Sequence, residues 1–284
     1  MRVAAVGVVG LGEIGGSVAS ALAAAGHDVC VCDVRPEASA KLSDRCRVVD
    51  DPAELGRSVD VVIVAVVDDD QVRAVLLGPL GALTTMRRGS TVIVVSTVSM
   101  AALRDVAEAG RPGGVAVVDC GVSGGPSAAA AGKFVSMVGG DDGAVARVLP
   151  VIDSFSSLVV RMGPLGSGLK AKLARNVVQY GSWLAAYEAQ RIAEAAGIDL
   201  QNLARVIKES DRMIGGASAL MFRDTVAPFG PGDDERLVGA MRSAAALAHK
   251  DLDAALDLAW ELELECPLTE LAESNIGSVF GVEP

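Results

Sequence analysis

The segment Gly10-Leu11-Gly12-Glu13-Ile14-Gly15 constrains this chain more than any other. A G-x-G-x-x-G pattern alone is common. Here it follows the apolar run Val3–Val9 and opens the Ala-rich stretch Ile14–Ala25. Asp33 lies roughly twenty residues on, just past a second strand-like run, Val29–Cys32. Each part has a physical task. Gly10 permits the tight turn, Gly12 lets a pyrophosphate approach the backbone, and Gly15 lets helix and strand pack closely. The helix N-terminus offers free N–H groups and partial positive charge to phosphates. Leu11, Glu13 and Ile14 complete the loop. The combination predicts a dinucleotide cofactor. A carboxylate at Asp33 would accept from ribose hydroxyls and repel a 2′-phosphate, which favours NAD. Arg35, two residues on, offers NADP an alternative partner.

The pattern continues with further Val/Ile runs. Val61–Val66, Val92–Val95 and Val115–Val118 are continuous and β-branched, separated by helical stretches. Such runs mark a parallel sheet covered on both faces. Phe134–Val138 and Leu158–Val160 read as two more strands, with a helix over Gly143–Ser154 between them. After the breaker cluster Gly163-Pro164-Leu165-Gly166-Ser167-Gly168 the strand signal stops. Leu169–Ala196 reads as one long helix ended by Gly197, and the remainder as further helices. The expected fold is α/β: a Rossmann-type doubly wound parallel sheet over residues 1–163, then an all-α domain over 164–284.

Composition removes several classes of function. The 284 residues carry a formal net charge of −11, which is the wrong sign for a nucleic-acid partner. No apolar run approaches the ~20 residues of a membrane span. Arg2 before Val3–Val9 resembles the start of a leader, but the run passes directly into a glycine turn without a cleavage pattern. The five cysteines, Cys30, Cys32, Cys46, Cys120 and Cys266, match neither a disulfide framework nor a metal cluster. Free thiols fit the cytoplasm. The two histidines, His27 and His249, lack clustered ligands in the sequence, so no metal is expected.

Three further segments go beyond a generic dinucleotide domain. They are Asp119-Cys120-Gly121-Val122-Ser123-Gly124-Gly125 with Gly132 beyond; Gly166-Ser167-Gly168 with Lys172 and Asn176; and His249-Lys250-Asp251-Leu252. In order and spacing they resemble the substrate-binding, catalytic-helix and Lys-Asp-Leu motifs of the β-hydroxyacid dehydrogenases. That family includes 3-hydroxyisobutyrate dehydrogenase and tartronate semialdehyde reductase. The likeness runs along nearly the whole chain. It implies that Lys172 is the general acid/base, and that Ser123, Gly124, Gly125 and Asn176 hold a small carboxylate substrate. It further implies that Lys250 lies near the nicotinamide or that carboxylate, Thr97 near the nicotinamide, and Val66 and Val67 on the adenosine side.

The residues support part of this independently. Lys172 and Asn176 are four apart on one helix and share a face. A lysine near a helix N-terminus is disfavoured in its charged form, and partial burial acts in the same direction. The sequence also departs from the family. Arg175 stands where a second Asn is common. Gly121 replaces a common Pro, which should loosen the loop before Ser123. Val66-Val67 replaces Leu-Pro and is followed by Asp68–Asp70. Gln179, Tyr180 and Trp183 on the catalytic helix, and Asp211, Arg212 and Met213 beyond it, are further pocket candidates.

Alternative readings stay open. Imine reductases resemble the architecture but typically lack a lysine at the catalytic position. A decarboxylating dehydrogenase normally has a longer helical part. A non-catalytic NAD(H)-binding protein would need none of Ser123, Lys172 and Asn176. The Ala-rich helical half suggests a homodimer or homotetramer assembled through it. The substrate itself is not encoded in any single motif.

Overall fold

The computed structural model describes residues 5–282. Positions 1–4, the start of the first predicted strand, lie outside them. The chain falls into two compact units, Met1–Arg175 and Asn176–Pro284.

The first unit alternates strands and helices. It begins β1 (Ala5–Val9), α1 (Glu13–Ala24), β2 (Asp28–Cys32), α2 (Pro36–Ala40) and β3 (Arg47–Val48). It continues α3 (Pro52–Ser58), β4 (Val61–Val64), α4 (Asp69–Leu77), β5 (Thr91–Val94), α5 (Met100–Gly113) and β6 (Ala116–Ser123). Then follow α6 (Gly125–Ala131), β7 (Phe134–Gly139), α7 (Asp142–Ser154) and β8 (Ser156–Gly163). The eight strands lie in the order β3-β2-β1-β4-β5-β6-β7-β8. The order reverses between β1 and β4, which is where doubly wound sheets open their ligand crevice.

Continuous apolar strands result from burial on both faces. In β4, Ile63 joins the core beneath α1 and α7 with Val18, Leu22, Val148 and Ile152. Its neighbours Val62 and Val64 join the opposite core, with Leu55, Leu76 and Val106 from α3, α4 and α5. Both sides of the strand are thereby dry.

The sheet is not wholly parallel, contrary to the sequence expectation. β7 runs antiparallel to β6 and parallel to β8. The intervening segment 124–133 is too short for the dozen or more residues that a parallel crossover usually takes. β6 also extends five residues past the predicted Val118, so Ser123 ends a strand.

The second unit is helical. α8 (Ser167–Ala195) begins in the first unit, and the division between units falls within it. α9 (Leu200–Ile214), α10 (Glu235–Glu261) and α11 (Pro267–Val279) follow. Within this unit Glu188 is buried and caps α11 from outside. Its carboxylate accepts from Leu268 N (2.9 Å), Thr269 N (3.0 Å) and Thr269 Oγ1 (2.8 Å). No helix among the described residues is long and apolar enough to cross a membrane. All five cysteines are free and buried. Burial pushes the Cys30 and Cys32 thiols to about 11 and Cys120 to about 12.

Candidate active site

The glycine turn forms as its spacing predicts. Gly10 has φ +87, and a β-carbon there would lie 2.6 Å from the Ala65 carbonyl oxygen, so β1 and β4 meet at the switch point over a bare backbone. At Gly15 a β-carbon would strike the Gly10 carbonyl at 1.9 Å. Gly12, by contrast, faces open space and caps α1 without a side-chain hydrogen bond. The first N–H groups of α1 are therefore available to an anion. Leu11 is buried, whereas Glu13 and Ile14 are exposed at the mouth. This cradle fits a dinucleotide pyrophosphate.

Asp33 follows β2 and turns back onto the loop. Its carboxylate accepts from Leu11 N at 2.6 Å and from Arg35 through both backbone and guanidinium. Burial pushes its pKa up, but the Arg35 and Leu11 hydrogen bonds and the Arg35 charge prevail and hold it below the ordinary carboxylate range.

On the other side of the turn, Val66 N donates to the buried Ser96 hydroxyl at 2.9 Å, and Val67 N to Gln71 at 3.1 Å. Val67 lines a shallow groove with Asp68, Thr97, Ser99 and Leu173. Its neighbours there include the residue next to Lys172.

Lys172 sits in the second turn of α8 and is half-buried. Burial first, and the Arg175 charge second, lower its pKa below the ordinary lysine value. The position of the helix follows from β6 and β7. Asp119 is buried at the centre of β6. Its Oδ1 accepts from Gly166 N and its Oδ2 from Leu169 N, both at 2.7 Å. The carboxylate thus takes the place of a cap for α8. A β-carbon at Gly168 would lie 2.3 Å from the Met137 carbonyl oxygen, and one at Gly121 would lie 2.6 Å from the Lys172 β-carbon.

Gly121 therefore does not loosen a loop. It is buried within β6, paired with Met137, and its missing side chain is the space into which Lys172 fits. Two residues further, Ser123 ends the strand, half-buried. Gly124 (φ +135) and Gly125 (φ +63) then turn the chain into α6. Lys172 thus packs against the strand that ends at Ser123.

The remaining candidates lie in the second unit. Asn176 is half-buried on α8, one turn beyond Lys172. Tyr180 and Trp183 are exposed and pack edge-to-face, 5.5 Å between centroids. Arg212 is tied to Glu209, while Met213 is exposed. Lys250 is exposed on α10 and pairs with Asp251 at 3.0 Å. His249 has neighbours the sequence did not reveal. Asp253 meets its Nδ1 at 3.1 Å and Glu273 its Nε2 at 3.0 Å, so both ring nitrogens are already engaged.

Sequence reasoning placed Asp119 in a motif but gave it no task. The available signal was an acid inside an otherwise apolar strand, which must find donors when buried.

The glycine cradle at the switch point fits a dinucleotide-dependent enzyme, and a half-buried lysine packs on β6 of the same unit. The comparisons with known proteins agree. The profile of the NAD binding domain of 6-phosphogluconate dehydrogenase matches residues 5–163. That described as NAD-binding of NADP-dependent 3-hydroxyisobutyrate dehydrogenase matches 166–279. An oxidoreductase of Mycobacterium tuberculosis is 38% identical over 280 residues, covering 97% of this chain and 93% of that one. The L-threonate dehydrogenase of Cupriavidus necator is 33% identical over 269 residues, covering 94% and 87%. The crystal structure of a Mycobacterium avium oxidoreductase superposes with a TM-score of 0.90 at 33% identity, covering 98% and 99%. The chain belongs to the β-hydroxyacid dehydrogenase family, and its cofactor is NAD(P).

Proposed function

We propose that this enzyme oxidises the hydroxyl-bearing carbon of a small β-hydroxy acid, or reduces the matching semialdehyde, with Lys172 as general acid/base. The observation that carries this reading is the setting of Lys172. The residue is half-buried with its pKa lowered, its β-carbon packs on Gly121 in the strand that ends at Ser123, and Asp119 holds the backbone at the start of its helix. A general base works best when its pKa approaches the operating pH.

In the oxidative direction the neutral Lys172 Nζ takes the hydroxyl proton as the carbonyl forms. In reverse it returns that proton to the developing alkoxide. The nicotinamide, when bound, supplies the hydride acceptor or donor. Gly10, Leu11, Gly12, Glu13, Ile14 and Gly15 hold the pyrophosphate, and Asp33 serves the adenosine ribose end. Val66, Val67 and Thr97 flank the cofactor beyond the turn. Ser123, Gly124 and Gly125 bind the substrate carboxylate, Asn176 orients it by its amide, and Lys250 offsets negative charge. Residues 1–163 then form the cofactor domain and 164–284 the substrate and assembly domain. Five free cysteines support a reducing compartment such as the cytoplasm.

The test is to screen small β-hydroxy acids by the absorbance of the reduced nicotinamide, with Lys172→Ala in parallel. Turnover of one acid, reduced by roughly 10²–10⁴-fold in the variant while cofactor binding persists, is expected. Turnover unaffected by the substitution would remove Lys172 from the chemistry.

Assembly is part of the same reading. Trp183, Trp260, Tyr187, Met213 and Leu271 are all more than half exposed in the single chain. Apolar surface of this extent on helices fits a second copy of the chain. Sedimentation at micromolar concentration is expected to show a dimer or tetramer, and a monomer there would refute it.

A further inference from the structure

The Ser123-Gly124-Gly125 loop runs directly into α6 (Gly125–Ala131), so the seat of that helix decides where the loop stands. The helix cannot hold itself. Its 7 residues fall below the ~12–15 that an isolated helix needs in water. Gly124 caps it without a side-chain hydrogen bond, and Ala129 is its one buried residue. Whatever orders the loop must come from outside the helix.

The outside support is α1. Ala129 joins the core that takes Val18 and Leu22 from α1. Gly132, which ends α6 at φ +59, approaches so closely that a β-carbon there would lie 2.9 Å from that of Ala21. The polar tie is the Ser17 hydroxyl, which donates to the Ala129 carbonyl oxygen, 112 positions away. A serine hydroxyl inside a helix often turns back onto its own carbonyls. Ser20 does so, donating to Gly16 O at 2.9 Å. Ser17, on the same helix, reaches a neighbour instead. α1 is a firm base, because Val18, Ala19 and Leu22 are fully buried. One helix thus carries the dinucleotide cradle at its start and the seat of the substrate loop along its side.

We propose that Ser17 is a positioning residue for the substrate. By tying α6 to α1 it holds Ser123, Gly124 and Gly125 in a fixed place relative to the cofactor turn. A loop ordered in advance loses less freedom when a carboxylate arrives, so the effect falls on substrate affinity. Ser17 takes no part in the proton or hydride steps, so kcat does not depend on it. The Ala129 oxygen also accepts from Gly132 N at 3.0 Å, so removing the hydroxyl orphans no carbonyl and leaves global stability nearly unchanged. The inference rests on the reading of Ser123, Gly124 and Gly125 as the carboxylate site.

Hydrogen exchange of the full chain tests the seat without any substrate. Ser17→Ala should speed exchange of segment 124–133 by roughly two- to tenfold, the range of one net hydrogen bond, with α1 exchange, Tm and NADH affinity unchanged. With 3-hydroxypropionate, the simplest β-hydroxy acid, KM should rise by a similar factor at constant kcat. Ser17→Thr keeps the hydroxyl and should preserve wild-type values of both. Unchanged exchange in Ser17→Ala, faster exchange with unchanged KM, a fall in kcat in place of the rise in KM, or equal damage from threonine would each overturn the proposal. If the wild type turns over no β-hydroxy acid, faster exchange in Ser17→Ala alone would keep Ser17 as the seat of α6 and overturn the carboxylate reading of the loop instead.

Discussion

The two units of this chain are held together by different means. The first has two dry layers, with Leu22, Leu55, Ile63, Leu76, Ile93 and Ile152 all fully buried on one side or the other of the sheet. The second has few buried apolar residues, chiefly Ala193, Ala245, Ala259 and Cys266, while its large apolar side chains lie at the surface. What it does bury is a carboxylate, Glu188, tying α8 to α11. The difference teaches that the sheet unit closes its own core, whereas the helical unit leaves its large apolar side chains exposed in the single chain.

Four experiments sharpen or break that contrast, from the largest effect to the smallest. Ile63→Ala empties a fully buried site in a central strand and should cost about 2–5 kcal/mol in denaturant unfolding. Trp260→Ala, at a site 81% exposed in the chain, should instead leave the intrinsic stability nearly unchanged and weaken assembly, making Tm more concentration-dependent. Equal effects of the two would abolish the contrast.

Asp119→Asn keeps the shape but turns one acceptor into a donor facing a buried backbone N–H. A loss of about 1–3 kcal/mol is expected, together with lower kcat, because the same bonds seat the helix of Lys172. Stability lost without any change in kcat would separate the cap from the chemistry.

Glu188 provides the helical counterpart, with a pH signature. Burial alone would raise its pKa, but the Leu268 and Thr269 hydrogen bonds prevail and lower it. A lowered carboxylate contributes stability that is full above its unfolded value and is lost as pH falls through its folded value. Acid titration of the wild type should therefore show a loss of stability below the ordinary glutamate range, and Glu188→Gln should flatten it.

The smallest expected effect is at Arg175. Its charge helps to lower the Lys172 pKa, so Arg175→Asn should move the ascending limb of kcat/KM for oxidation toward alkaline pH. An acid shift, or none, would remove Arg175 from the electrostatics of the site.

Much of the sheet was legible because β-branched runs between glycine breaks have few other uses. Direction and edges were less so. β7 shares its composition with its parallel neighbours, and only the shortness of segment 124–133 forces it to return antiparallel. β3 spans two residues, below any periodic signal. In the site, the glycine turn was readable from spacing, whereas Lys172 stood out only through its likeness to a family motif. The grip of Arg35 on Asp33 was not readable, since a pair two residues apart can bridge or diverge depending on the turn. Gly121 was misread because a missing side chain is silent in sequence: whether it frees a loop or admits a neighbour is decided by what packs opposite it.

The buried cysteines give the contrast between the units a chemical readout. Burial keeps all five thiols from solvent and raises their pKa values, so alkylating reagents and peroxide should react only slowly with the folded chain. Four of the five thiols lie in the sheet unit and Cys266 alone in the helical one. The mass added by a thiol reagent during slow denaturation therefore counts which half has opened. One adduct marks the helices letting go, and four more mark the sheet.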